Sequence, residues 1–330
     1  MTLPPLPHPR HVVAIRPGAL GDTLLALPVL AWLRRQWPAT CICLVARGDV
    51  LPLARASGLA DTVSEFDLPQ WADLFADTLP ARSPLRHMLA GSAALAWLPD
   101  RAGAVARTLS EGGAHPVAIG AGRPAPDAGE HAAVLLGRTL ASLGIAPPSL
   151  ADLVATLPPL RPTREGTARA EELWRSLGLA PAHGPLVALH PGSGGAAKCW
   201  PPNSFAALTA ALHRAGATPL LIAGPADAAA VKAVMRALPS DAATLPVARD
   251  LALGTLAALL TRCAAFIGND SGVSHLAAML GMPTLALFGP TDPTVWAPLG
   301  PHVRVLRSPS TAIAALPVAE VYRAIGTWLR

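Results

Sequence analysis

The sequence predicts an α/β protein built as two open domains, each a parallel sheet wrapped by helices. Three observations predict it. The apolar runs HVVAIR (11–16), ICLVA (42–46), LVALH (186–190), PLLIAG (219–224) and PTLALFG (283–289) are continuous rather than alternating, as in strands buried on both faces. Segments of helical period separate them, so strand and helix alternate as in β-α-β units. The chain is also 330 residues long, more than one hydrophobic core organises efficiently, and therefore divides.

Taken in order, the first strand HVVAIR runs into the loop PGALG, and Asp22 opens a helical stretch that ends near Trp37 and Pro38, where ICLVA begins. The pattern restarts after residue 160. Strand LVALH leads through a glycine-rich loop to the helix PNSFAALTAALHRAG (202–216), with Asn203 or Ser204 as the expected cap, and on to PLLIAG. A further round comprises GTLAALLTRC, AAFIG, NDSG, VSHLAAMLG and PTLALFG. The proline-rich stretch LPPLRPT (157–163) continues neither a helix nor a central strand, which sets the expected domains at 1–162 and 163–330.

Composition narrows the function. Hydrophobic residues make up 52% and charged residues 14%, enough to fill large cores and to exclude wholesale disorder. Mean hydropathy is +0.40, yet no run approaches the roughly 20 apolar residues of a membrane span. The charge-free stretch 271–291 is broken by His275, Gly281, Pro283, Gly289 and Pro290. The amino terminus lacks the pattern of a secretory signal, so a cytoplasmic location is expected. Cys41, Cys43, Cys199 and Cys263 form no C-x-x-C pair and no metal-ligand spacing. The net charge of +5, concentrated in the second half, suits an anionic small molecule or an anionic membrane surface. Without a Lys/Arg run or interleaved aromatics, no nucleic-acid partner is expected.

Ligands of open α/β sheets gather outside the carboxyl ends of the strands, so residues just after each apolar run matter most. Three such loops stand out. In Arg16-Pro-Gly-Ala-Leu-Gly-Asp22, Gly18 and Gly21 permit a sharp turn and a close approach to a ligand, and Asp22 offers a carboxylate able to take a proton. An ordinary helix cap is its plainer role. The spacing is not that of a dinucleotide fingerprint. The second loop, from His190 through Pro-Gly-Ser-Gly-Gly-Ala-Ala to Lys198, leaves backbone N–H groups to bind phosphate beside an ammonium. Lys198 is one of two lysines against 24 arginines, so a point cation is used where the chain otherwise chooses arginine. Ala197 and Cys199 break the Walker pattern. In the third loop, Asp270, Ser271 and Gly272 stand at a strand end before a helix, where free N–H groups hold an anion while a carboxylate accepts hydroxyl hydrogens. A cap at Asp270 and a core histidine at His275 are the plainer alternatives. Asp227 and Asp292 follow later strands in the same way.

In this order, GALGDTLLALPVLAWLR (18–34), LHPGSGGAAKCWP (189–201) and GNDSGVSHLAAMLGMPTLALFGPTDPTVWAPLG (268–300) resemble the heptosyltransferases of glycosyltransferase family 9, which add heptose to the lipopolysaccharide core. The resemblance spans nearly the whole chain. It implies a GT-B fold: two Rossmann-like domains facing across a cleft, the acceptor on the first and the nucleotide sugar on the second. It further implies an inverting transfer that uses neither metal nor cofactor. Asp22 would be the general base, with Gly21 beside it, and Lys198 would stabilise the departing diphosphate of an ADP-heptose donor. Ser193 and Gly194 would help hold that diphosphate, and Asp270, Ser271, Gly272 and His275 the heptose and phosphate. Asp227 is the candidate for the ribose and Leu251 for adenine. The last helix, 318–329, would pack back towards the first domain.

The physical reading agrees with that resemblance. A leaving diphosphate gains negative charge at the transition state, and N–H donors with a cation can meet it in place of a metal. No D-x-D pair follows a strand, and the first loop lacks the second carboxylate of a glycosidase. One departure concerns the acceptor. Relatives acting on the first inner-core sugar carry a basic cluster after the third strand, whereas residues 66–80 hold Asp67, Asp73 and Asp77 and no basic residue. Arg82, Arg86 and Arg101 remain as candidates for a phosphorylated acceptor or as surface arginines. The alternatives are a family member using another nucleotide sugar and a nucleotide-binding module without catalysis. Expected partners are thus ADP-heptose, a lipopolysaccharide core or related glycan, and peripherally the cytoplasmic face of the inner membrane.

Overall fold

The computed structural model describes residues 9–125, 128–179, 184–239 and 245–328. The chain forms two compact units, Met1–Pro158 and Pro159–Arg330. The division falls inside the proline-rich stretch, between two adjacent prolines that donate no backbone hydrogen bond.

The first unit is built on a five-stranded parallel sheet of β1 (His11–Arg16), β2 (Cys41–Ala46), β3 (Thr62–Glu65), β4 (Ala93–Trp97) and β5 (Val117–Gly120), in the order β3-β2-β1-β4-β5. The central strand shows why the apolar runs are continuous. Val12 and Ala14 face one side and Val13 and Ile15 the other, and all four are buried. Ile15 pairs with Val45 on one flank and Ala96 on the other.

The second unit carries β6 (Leu186–His190), β7 (Thr218–Ala223), β8 (Val247–Arg249), β9 (Ala265–Asn269), β10 (Thr284–Phe288) and β11 (Val303–Arg307). Their order is β11-β10-β9-β6-β7-β8, again all parallel. Both sheets follow the Rossmann-like winding, which reverses between β1 and β4 in the first and between β6 and β9 in the second. At these points the helices before and after depart in opposite directions, leaving a crevice beyond the strand ends.

Local chemistry departs from expectation at the helix following the second glycine-rich loop. It spans Pro202–Arg214 with Pro201 at the cap position and no side-chain capping bond, so neither Asn203 nor Ser204 caps it. Pro202 at the first helical position supplies a preset φ and lacks the N–H that a cap would satisfy. Trp200 and Phe205 anchor this helix edge to face, their ring centroids 5.2 Å apart. The final helix, Val318–Ile325, buries Val321 and Ile325 in the same core. Its expected extension includes Leu329, which lies outside the described residues.

Candidate functional site

In the first unit, β1 delivers Arg16 to the strand end, where it is 4% exposed. Its guanidinium donates to Trp97 O (3.0 Å) at the end of β4, to Gly122 O (2.6 Å) after β5 and to the backbone oxygen of Asp22 (3.0 Å). One side chain thus ties together the ends of three adjacent strands. Burial lowers the Arg16 pKa from its ordinary value, and the nearby Asp22 carboxylate opposes that shift.

Asp22 is the third residue of the short helix Leu20–Leu24, whose cap is Ala19. It is therefore not a capping residue. Its side chain is 12% exposed and stands between two arginines, 3.8 Å from Arg16 Nη2 and 3.5 Å from Arg123 Nη2. Arg123, in the loop after β5, is largely exposed. Gly18 makes the approach possible: its φ is +140°, and an added Cβ would lie 3.3 Å from the Asp22 Cβ. Gly21 belongs to the same turn, half-buried.

In the second unit, the loops after β6 and β9 close on one another at the reversal of winding. Asn269, fully buried at the end of β9, donates to Pro191 O (2.9 Å) and Gly192 O (3.2 Å) and accepts from the Trp200 N–H (3.0 Å). Asp270, buried, holds Lys198 Nζ at 2.7 Å and accepts from the Thr291 hydroxyl at 2.8 Å. Ser193 donates to the Asp270 backbone oxygen at 2.7 Å. Ser271, not Asp270, caps the helix Gly272–Met279, its Oγ accepting from the Ser274 N–H. Gly272 is the first residue of that helix and His275 lies buried on its first turn. Lys198, Ser193, Asp270, Ser271 and Gly272 thus form one cluster at the strand ends, with a point cation beside a helix N-terminus. Such a cluster favours an anion.

Gly194 lies open in the β6 loop: a Cβ there would meet nothing within 4 Å. Gly192 is the opposite case. A Cβ at that position would fall 1.8 Å from Asp227 Oδ1, so only glycine admits the carboxylate. Asp227 accepts from His190 Nε2 (2.9 Å) and from the Gly224 N–H (2.9 Å). Burial pushes its carboxyl up, but the hydrogen bond and charge of His190, with the Gly224 N–H, hold it below the usual carboxylate range. Leu251 stands half-buried beyond β8, next to Asp250, whose φ is +47°. Asp292 caps a short helix through the Thr294 N–H (2.9 Å) and faces Arg307 at 3.6 Å.

Sequence reasoning passed over Arg123, Asn269 and Thr291, and quoted Arg16 and His190 without giving them work. Each stands in or just after a strand end, which was the signal available. What each touches depends on a neighbouring strand far away in sequence.

The family model described as glycosyltransferase family 9 (heptosyltransferase) matches residues 149–318, just over half of the chain. The chain belongs to glycosyltransferase family 9. The match covers the second unit almost entirely, including every member of its cluster. Lipopolysaccharide heptosyltransferase 2 of Salmonella typhimurium is 35% identical to this family 9 chain over 126 residues, 37% of the chain and 36% of that relative. The aligned segment thus spans little more than a third of the curated relative. A glycosyltransferase family 9 structure from Veillonella parvula superposes with a TM-score of 0.79 at 21% identity, covering 100% of this chain and 98% of that one. The Escherichia coli ADP-heptose lipopolysaccharide heptosyltransferase II does so with a TM-score of 0.74 at 18% identity, covering 97% and 98%. The family 9 chain has the GT-B fold that its motifs implied.

Proposed function

We propose that this chain is an inverting, metal-independent glycosyltransferase that moves heptose from ADP-heptose to a lipopolysaccharide core or related glycan. The observation that carries the reading is the Lys198 cluster, at the switch point of the second sheet and inside the segment that matches the family. A diphosphate seated there meets the Lys198 ammonium, the hydroxyl of Ser193, the open backbone at Gly194 and the N-terminus of helix Gly272–Met279. These are the groups needed where a leaving diphosphate gains charge. Asp270, with Ser271, Gly272 and His275, is assigned to the sugar and phosphate, Asp227 to the ribose and Leu251 to the adenine.

In the first unit Asp22 is assigned as general base. As the acceptor oxygen attacks the anomeric carbon from the face opposite the diphosphate, Asp22 takes the hydroxyl proton. The new glycosidic bond forms, the bond from the anomeric carbon to the diphosphate oxygen breaks, and ADP departs with that electron pair onto the Lys198 cluster. The configuration inverts. Arg16, tied to three strand ends, fixes the turn that presents Asp22. Among the described residues no helix is long and apolar enough to cross a membrane, and the proposed meeting place with a lipid-borne acceptor is peripheral contact at the cytoplasmic face of the inner membrane.

The test is calorimetric titration of the chelator-treated chain with ADP, UDP and GDP, for the wild type and Lys198→Ala, followed by turnover of ADP-heptose with candidate acceptors. Selective ADP binding that weakens in the variant supports the reading. Tighter binding of UDP or GDP replaces the donor, and no nucleotide binding sinks the assignment.

A further inference from the structure

His190 ends β6 with its ring inside the second unit, 2% exposed, lying near-parallel to Phe266 at a centroid distance of 6.5 Å. Its two nitrogens reach two different loops. Nε2 is 2.9 Å from Asp227 Oδ2, after β7, and Nδ1 is 3.3 Å from Ser271 Oγ, at the cap of the helix after β9. Asp227 lies so close to Gly192, and is so held by the Gly224 N–H, that it has little room to turn away. An ionised carboxylate only accepts, so Nε2 carries a hydrogen.

The other side of the ring then has two settings. With a neutral imidazole, Nδ1 is a buried lone pair, and the Ser271 hydroxyl at 3.3 Å is placed to satisfy it. With an imidazolium, Nδ1–H donates to Ser271 Oγ, and the hydroxyl hydrogen is released to point elsewhere. Ser274 Oγ also lies 3.3 Å from Ser271 Oγ, and because its own hydrogen goes to the Asn269 backbone oxygen it can only accept from Ser271. A phosphate oxygen at the helix N-terminus needs a donor, and Ser271 can turn its hydrogen there without stripping the buried Nδ1 lone pair of its donor only in the second setting.

We propose that His190 is a proton-linked positioning residue: binding of a nucleoside diphosphate at the Lys198 cluster is accompanied by uptake of one solvent proton at His190, which converts Ser271 from an acceptor into a donor to phosphate. The proton adds to Nδ1, and no covalent bond between heavy atoms changes. The inference rests on the donor-site reading given above. Asp227 is the ionisable group in contact with the ring, and the loops and helix that meet it also carry the Asp270 and Lys198 pair, Cys199 and His275. Asp270 and Lys198 already balance each other, and an incoming diphosphate adds negative charge that favours the imidazolium.

The experiment titrates ADP into the whole chain at pH 7 in two buffers of different ionisation enthalpy, for the wild type and His190→Gln. Glutamine keeps a donor near the Nε2 position and cannot take up the proton. Subtracting the two results cancels the titration of ADP's own terminal phosphate. The wild type is expected to take up more protons than the variant, the difference approaching one, and to lose affinity more steeply above neutral pH, by up to about tenfold per pH unit. An independent arm follows the ring signals of His190 by NMR in the wild type, assigned among ten histidines by their absence in the variant. These should move to imidazolium positions when ADP is added at fixed pH. If ADP binds with the same proton count in both proteins, or leaves the His190 signals unchanged, the linkage is wrong. If the wild type binds no nucleotide, the donor-site reading fails, and the linkage with it.

Discussion

At the scale of single residues, the two units pose different demands on a carboxylate. Asp22 is presented by a turn that Arg16 and Gly18 shape, and it caps nothing, while its carboxylate faces the buried Arg16 guanidinium, so asparagine, which keeps its size, is the replacement to use. Asp22→Asn is expected to lower kcat by about 10²-fold or more, the usual worth of a positioned base, while ADP affinity stays within error. Turnover and calorimetry on the same preparation check both halves of that statement. Asp227 is instead walled in. Gly192→Ala would push a methyl group into its carboxylate, so the β6 loop or the bond to His190 must give way. Overpacking of this kind costs about 1–3 kcal/mol. A lowered melting temperature together with weaker ADP binding is expected, and an unchanged melting curve would show that the loop yields freely.

At the scale of elements, the donor cluster depends on how the β6 and β9 loops are sewn together. Asn269 does this with three buried bonds to backbone groups, and Asn269→Ala strands all three. A loss of about 3 kcal/mol in urea unfolding is expected, since each buried unsatisfied group costs about 1–3 kcal/mol without adding fully. The Asp227 link has a pH signature. A carboxyl held below its ordinary range in the folded chain contributes stability above the unfolded value of about 4 and loses it as pH falls through the lower folded value. The wild type should therefore lose stability from about pH 4 downward, and Asp227→Asn should be less stable near neutrality yet show a shallower acid slope. Urea midpoints measured from pH 3 to 7 test this.

At the scale of the whole molecule, the proposed chemistry places its charge stabilisation in Lys198, Ser193 and helix N–H groups. Transfer from ADP-heptose is expected to persist after exhaustive chelation; a rate abolished by chelator and restored by a divalent cation would overturn that assignment. The architecture itself was legible in the chain, because fully buried parallel strands must be apolar at every position and the loops between them must carry the glycines and polar groups. For the same reason the motif residues could be placed at strand ends, and the family resemblance gave them roles. Some local chemistry misled: Asn203 and Ser204 have capping side chains, yet Pro201 and Pro202 start the helix. The sequence by itself thus determined the alternation of elements and the positions of Asp22, Lys198 and Asp270 at strand ends. Only the tertiary structure decided what those side chains touch. Parallel pairing brings β6 beside β9, some 80 residues later in the chain, and β1 beside β4. The bonds from Asp270 to Lys198, from His190 to Asp227 and Ser271, and from Arg16 to Trp97 and Gly122 are products of that winding. No local pattern encodes a partner that the sheet supplies from another strand.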